Sequence, residues 1–227
     1  FDNSFDVAFD STGKIEATRM IINGICGHSP DLSDAIVDRA MFHADNGYFL
    51  GDSDIVGHRL QTNMVSHTAY RGFGGPQGMI MAEALIDKIA RTIGSDPLSV
   101  RKRNLYGPTT GTTTPYGMEV EHNLLPEMIN ELEQSAQYWQ RREAVSAFNR
   151  ESPVIKKGLA LTPVKFGISF TAKHLNQAGA LVHIYTDGSI QVNHGGTEMG
   201  QGLHTKIGQI AANEFGLDLD MIEVTAT

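Results

Sequence analysis

"YRGFGGPQGMIMAEALIDKIARTIG", Tyr70 to Gly94, is the stretch whose reading decides the fold. Its front half places Gly72, Gly74, Gly75 and Gly78 around a single proline, and its back half repeats apolar residues at helical spacing. Pro76 suits a first helical position because the N–H it lacks would be unpaired there. Ile86, Ile89, Ala90 and Ile93 fall on one face, and Gly94 suits a left-handed stop. The stretch therefore predicts a bare turn feeding an amphipathic helix from Pro76 to Ile93. "SDPLSVRKRN" repeats the pattern in a shorter helix, with Asp96 as cap and Pro97 in the first turn.

Working outward, "FDVAF" and "KIEATRMII" alternate apolar and polar residues about the turn "DSTG" and predict a β-hairpin within residues 5–26. Residues 34–50 favour neither helix nor strand. "GPTTGTTTPYGM", 107–118, carries almost nothing apolar and reads as loop or linker. Pro126 to Phe148 predicts two helices in series. From Leu159 the pattern turns to β: "GLALTPVKFGISF", then "GALVHIY" and "SIQVNH" about the turn "TDG". Leu203 to Phe215 predicts a helix and "DMIEVTA" a strand. No internal repeat stands out. This order predicts an α+β architecture with a division near 130–155.

The 227 residues are 41% hydrophobic and 19% charged, the balance of a globular protein. Net charge is −8, and no basic run exceeds "RKR" at 101–103, so a nucleic-acid partner has no electrostatic footprint. Cys26 is the only cysteine, which excludes an internal disulfide, a cysteine-built zinc site and an iron–sulfur cluster held by this chain alone. No apolar run approaches the roughly 20 residues of a membrane-spanning helix, and "FDNSFDVAFD" lacks the order of a signal peptide. A cytoplasmic setting is expected. The strand-like pattern at both ends suggests part of a longer polypeptide.

A second glycine-rich loop, "HGGTEMGQGLH" at 194–204, precedes the helix at Leu203. Helix N-termini present unpaired N–H groups to anions, and glycine permits close approach, so two such loops suggest one polar cofactor gripped from two sides. Neither loop is a dinucleotide fingerprint or a P-loop: Gln77 and Thr205 stand where the last glycine belongs, and no Gly-Lys-Ser/Thr ending follows. A lone glycine cluster is more often a tight turn. Arg71 and Phe73 bracket Gly72, however, a pairing that suits a charged or heteroaromatic ligand, and Glu198 and Gln201 add a carboxylate and an amide to the second loop. Taken by themselves, Arg39 reads as a surface partner of Asp34 or Asp38, Phe73 and Phe170 as core aromatics, and Met79 and Met81 as helix packing. His194 and His204 fit no zinc spacing.

Four blocks then carry a resemblance: "DRAMFHADNGYFL", "TAYRGFGGPQGM", "KFGISFT" and "LNQAGALVHIYTDGSIQVNHGGTEMGQGLHTK". In the same order and over essentially the whole chain, they resemble the molybdopterin-binding domain of the molybdenum hydroxylases, most closely its xanthine dehydrogenase branch. The resemblance implies a piece of that domain, with one partial subdomain over 1–130 and the start of a second over 131–227. Tyr70, where the family usually has Phe, Arg71 and Gly72 would lie at the cofactor, the Arg71 backbone amide close to the molybdenum without ligating it. Met199, Gly200 and Gln201 would bind the pterin. Phe73 and Phe170 would sandwich a purine, xanthine or hypoxanthine, and Thr171 would hydrogen-bond it. Arg39 matches the arginine that orients a purine oxygen and stabilises developing charge, a residue aldehyde oxidases generally lack. The base glutamate of a "GxGE"-type motif does not occur here, and Glu198 is not its substitute. The resemblance also implies [2Fe-2S] and FAD on other modules, the remainder of the molybdenum domain, and a dimer. An aldehyde oxidase or a catalytically silent binding module remain the alternatives.

Overall fold

The structure, a computed structural model, describes residues 1–225. It forms two compact units, Phe1–Thr171 and Ala172–Thr227. The first begins with the expected hairpin: β1 (Asp2–Phe9) pairs antiparallel with β2 (Ile15–Gly27). Asp10 closes its turn by accepting from the N–H groups of Thr12 and Lys14 at 2.8 and 3.0 Å. A third strand, β3 (Asp52–Gln61), lies parallel to β2. Parallel pairing requires a crossover, and α1 (Ser33–Phe42) supplies it from the segment whose pattern was ambiguous. The α1 helix lies close on the sheet over two small residues: a Cβ on Gly24 would stand 2.4 Å from Val37, and one on Gly57 2.5 Å from Met41 Sδ.

The quoted stretch becomes α2 (Gly75–Ile93), which buries Met81, Ala82, Leu85, Ile86, Ile89 and Ala90 and stops at Gly94, φ 67°. With Met20 and Ile22 of β2 and Val37 of α1 they make the core. Two of the stretch's glycines are explained by packing. A Cβ on Gly74, φ 98°, would stand 2.0 Å from the Ile36 carbonyl oxygen, and one on Gly78 2.1 Å from that of Ala40. The α2 and α1 backbones touch there, so no side chain fits at either position.

Next come α3 (Pro97–Asn104), α4 (Leu125–Ser135) and α5 (Tyr138–Glu151). Asp96 caps α3 as expected, accepting from Leu98 N–H at 2.8 Å, and also accepts from the Tyr138 hydroxyl and from Arg142, which ties α5 to the cap. Burial, then Asp96, pushes the Tyr138 phenol up to about 12.

One expectation is corrected. Residues 159–170 form no strand. They run extended, with Leu161 in the core, and several of their backbone groups are met by side chains instead of by a neighbouring strand: the Pro163 carbonyl and Lys165 amide by Asn46, the Gly167 amide by His43, and the Gly167 and Ser169 carbonyls by Arg39 of α1. Alternating apolar residues indicate an extended chain without indicating what the backbone pairs with.

In the second unit β4 (Ala180–Ile184) and β5 (Ile190–His194) form the expected hairpin, α6 (Leu203–Phe215) follows, and β6 (Ile222–Thr225) returns parallel to β5. Ala226, the end of that expected strand, lies outside the described residues. The two units share one connectivity, a hairpin, a crossover helix and a strand parallel to the hairpin's second. That similarity is one of topology, which is why no repeat is visible in the residues.

Candidate functional site

Arg39 in the last turn of α1 and His43, the residue that caps its C-terminus, stand four residues apart and both reach the segment around Gly167. Arg39 is only 5% exposed. Its two terminal nitrogens donate to the carbonyls of Gly167 and Ser169, while its Nε is buried without a partner. Burial lowers its pKa. The acids expected to pair with it, Asp34 and Asp38, instead meet Arg59. Arg39 is thus an interior cation, and the reading as a surface salt-bridge residue is overturned.

The two rings of the expected sandwich come together, one of them beside this guanidinium. Phe73 and Phe170 stand 5.1 Å apart between centroids at an interplanar angle of 51°. Arg39 Cζ lies 5.9 Å from the Phe73 ring and 5.2 Å from that of Phe166, within cation–π range. Phe73 adopts φ 52°, a left-handed conformation that costs a bulky residue roughly 1–2 kcal/mol. Such strain persists only where the surroundings impose it. The flanking glycines, Gly72 at φ 92° and Gly74 at φ 98°, let the backbone turn the ring inward toward α1.

Sequence reasoning missed what holds this arrangement. Asn46 donates to the Pro163 carbonyl at 2.9 Å and accepts from Lys165 N–H at 3.1 Å, fixing the chain just ahead of Phe166. Its amide also donates to Glu83 at 2.9 Å, and Glu83 receives the Tyr48 hydroxyl and pairs with buried Arg101. Asp45, 1% exposed, accepts from Tyr106 at 2.5 Å and pairs with Lys165 at 2.9 Å. Burial raises the Asp45 pKa, with Lys165 and Tyr106 pulling against it. The density of polar residues in "HADNGY" was the available signal.

Thr171 is placed differently. Its hydroxyl donates to the Ala35 carbonyl at 3.3 Å, and it lines a groove of about 600 Å³ with Asp38, Phe42, Asp54 and Tyr116, a lining that includes neither Arg39 nor Phe73. Tyr70 and Arg71 project outward, Tyr70 78% exposed.

In the second unit the loop 197–204 is wrapped around Glu198. That carboxylate accepts from the N–H groups of Gly200, Gly202, Leu203 and His204 at 2.6, 3.2, 2.5 and 3.4 Å. Burial raises the Glu198 pKa, but these four bonds outweigh it and the net shift is downward. Gln201 is engaged locally as well, accepting from Met199 N–H and donating to the Thr197 carbonyl. The start of α6 therefore carries its own anion. Glu198→Ala is expected to fray the first turn of α6, read as faster amide exchange at Leu203 and His204 with the exchange of β5 unchanged. Because the folded pKa is depressed, wild-type protein should show the same fraying as pH falls below about 4.5. Unchanged exchange at both amides in the variant would remove Glu198 from this role.

Among the described residues no group of three or more His, Cys, Asp or Glu side chains converges to hold a metal, and no helix is long and apolar enough to cross a membrane. The first loop fits an anionic, oxygen-rich group, with an outward guanidinium and phenol beside bare backbone at Gly72. The second fits it only where such a group replaces Glu198 at the α6 amides.

Models of the molybdopterin cofactor-binding domain match residues 1–105 and 131–227. Xanthine dehydrogenase of Dictyostelium discoideum is 44% identical over 223 residues, covering 98% of this chain and 16% of that protein. Xanthine dehydrogenase 1 of Arabidopsis thaliana is 44% identical over 227 residues, 100% of this chain and 16% of the relative. This chain thus spans about a sixth of the curated relatives it matches. Among solved structures, the aldehyde oxidoreductase from Desulfovibrio desulfuricans ATCC 27774 superposes with a TM-score of 0.72 at 24% identity, over 99% of this chain and 24% of that one. Quinoline 2-oxidoreductase from Pseudomonas putida 86 gives 0.70 at 22% identity, over 99% and 30%. These two likenesses speak to the fold.

Proposed function

This chain belongs to the molybdopterin cofactor-binding domains of the molybdenum hydroxylases and is homologous to xanthine dehydrogenase, and from that premise we propose that it forms the purine-binding part of a xanthine-hydroxylating enzyme. The observation that carries the reading is the meeting of Arg39, Phe73 and Phe170, residues 34 and 97 positions apart in succession, on one face of α1.

Xanthine and water give urate, two electrons and two protons. The bound molybdenum centre supplies the redox chemistry, with iron–sulfur and flavin modules elsewhere in the enzyme carrying the electrons away. The residues of this chain bind and orient. Phe73 and Phe170 hold the flat bicycle by its faces and leave its edge free. Admitting it requires the rings to part from 5.1 Å to about 7 Å, twice the carbon–carbon contact distance. Arg39, itself buried, supplies fixed positive charge at the ring edge. Tyr70, Arg71 and Gly72 would hold the cofactor from the first loop, with the Arg71 backbone amide close to the metal without ligating it. Met199, Gly200 and Gln201 would hold the pterin and Thr171 would hydrogen-bond the purine, which calls for the amides now held by Glu198 and the hydroxyl now on the Ala35 carbonyl to be freed. In this reading the chain holds one partial subdomain over 1–130 and the start of a second over 131–227. The proton acceptor lies outside this chain, the enzyme works in the cytoplasm, and dimerisation accompanies it.

The test is the full-length protein. It should carry molybdenum and convert xanthine to urate, and Phe170→Ala should raise KM for xanthine about 10-fold or more, since stacking on a base is worth about 1–3 kcal/mol. Molybdenum-loaded protein that oxidises aldehydes and leaves xanthine untouched would favour the aldehyde oxidase alternative. Protein that never acquires molybdenum would favour the silent module.

A further inference from the structure

We propose that His43 is a positioning residue for the purine, holding Gly167 so that the Phe166–Phe170 segment presents Phe170 to Phe73. The inference rests on the reading of Phe170 as a substrate residue.

The geometry is specific. His43 is 6% exposed. Its Nδ1 lies 2.8 Å from the Arg39 carbonyl oxygen, which only accepts, so Nδ1 carries the proton. Nε2 therefore offers a lone pair, and Gly167 N–H donates to it at 2.9 Å. The carbonyl of the same glycine accepts from Arg39. Gly167 is thus gripped at both polar groups by a side chain of α1 and one at its C-cap. The imidazole also packs on Phe166 with centroids 4.8 Å apart. Glycine is the residue with most backbone freedom to lose, and a Cβ at Gly167 would approach His43 no closer than 3.8 Å. Hydrogen bonding, not steric confinement, orders this position on the His43 side. Three residues onward is Phe170, whose ring completes the cluster.

The tie holds only with neutral imidazole. Protonation at Nε2 removes the acceptor and sets two N–H groups against each other. The surroundings oppose protonation: burial first, then the positive charges of Lys165 on the segment and Arg39 on α1, against the raising effect of the Arg39 carbonyl. The nearby acids are engaged elsewhere, Asp45 by Lys165 and Tyr106, Glu83 by Arg101, Asn46 and Tyr48. The folded pKa lies below the ordinary 6.5, so the tie is complete above 6.5 and is lost as pH falls through the folded value.

Full-length, molybdenum-loaded enzyme tests this with two substitutions. His43→Leu removes the acceptor and is expected to raise KM for xanthine about tenfold with a smaller change in kcat, and to speed amide exchange at Gly167. His43→Gln places an amide oxygen in reach of Gly167 N–H without a titrating group. It should return KM to near wild type and remove from the kcat/KM profile the acid limb that His43 contributes. Unmoved KM and exchange in His43→Leu, or equal behaviour of the two variants, overturns the proposal. If His43→Leu fails to fold, an acid limb unchanged in His43→Gln overturns it alone. Wild-type enzyme inert toward xanthine would sink the purine reading itself, whereas normal turnover with an indifferent His43→Leu sinks only the role of His43.

Discussion

Arg39→Met in the full-length enzyme should lower kcat/KM for xanthine by about 10²–10³-fold while aldehyde turnover is retained or rises. The guanidinium sits 5.9 Å from the ring of Phe73, one wall of the proposed sandwich, and 5.2 Å from that of Phe166. A preorganised donor in a dry site is worth most where charge develops, and an aldehyde carries no purine edge for it to meet. Two of its five N–H groups are engaged by the Gly167 and Ser169 carbonyls, and the buried Nε–H has no partner among the described residues, so a ligand acceptor can be met without breaking either bond. An unsatisfied buried donor costs about 1–3 kcal/mol, a free-energy reason for a ligand to bind there. Arg39→Lys should rescue poorly, because an ammonium cannot hold two carbonyls and a third acceptor in one plane. Steady-state kinetics on xanthine and on an aromatic aldehyde decide the matter. Xanthine turnover that survives Arg39→Met defeats the substrate assignment.

Arg101→Leu is expected to destabilise the chain by about 3–5 kcal/mol, measured by urea unfolding. Arg101 is 2% exposed and lies 2.7 Å from Glu83 and 3.0 Å from Asp87. Burial alone would lower its pKa, but Glu83 prevails and the net shift is upward. Removing the cation strands the Glu83 carboxylate among Tyr48 and Asn46, whose hydroxyl and amide it holds at 2.6 and 2.9 Å. The damage also reaches the site, since the same Asn46 fastens residues 163 and 165 ahead of Phe166. Adding Glu83→Leu to Arg101→Leu should recover much of the loss, because the penalty comes mainly from the charge left unpaired. A change below about 1 kcal/mol in the single variant would show that water reaches Glu83 and that the pair is not an interior one.

Local rules made the elements legible. Pro76 and Gly94 bracket α2, Asp96 caps α3, and period-two alternation marks both hairpins, because capping and amphipathic burial depend on residues within one turn or one strand pair. The parallel strands were another matter. β3 draws its partner from a strand more than thirty residues earlier, across α1, and nothing local in "DSDIVGHRLQ" states that pairing. The resemblance in four separated blocks singled out Arg39, Phe73 and Phe170, whose side chains the structure brings together, whereas their neighbours alone made each an ordinary surface or core residue.

What the residues determined by themselves is therefore the two hairpins and the helices α2 to α6, the α+β class and the family, all of which rest on short-range pattern or on identity along the chain. The tertiary structure alone decided the reason for Gly74 and Gly78, which is contact between two helix backbones, and the fate of residues 159–170, whose carbonyls and amides are met by Asn46, His43 and Arg39. Both outcomes depend on where a distant element lies to within an ångström or two. A hydrogen bond or a Cβ clash is decided at that scale, and sequence spacing does not carry it.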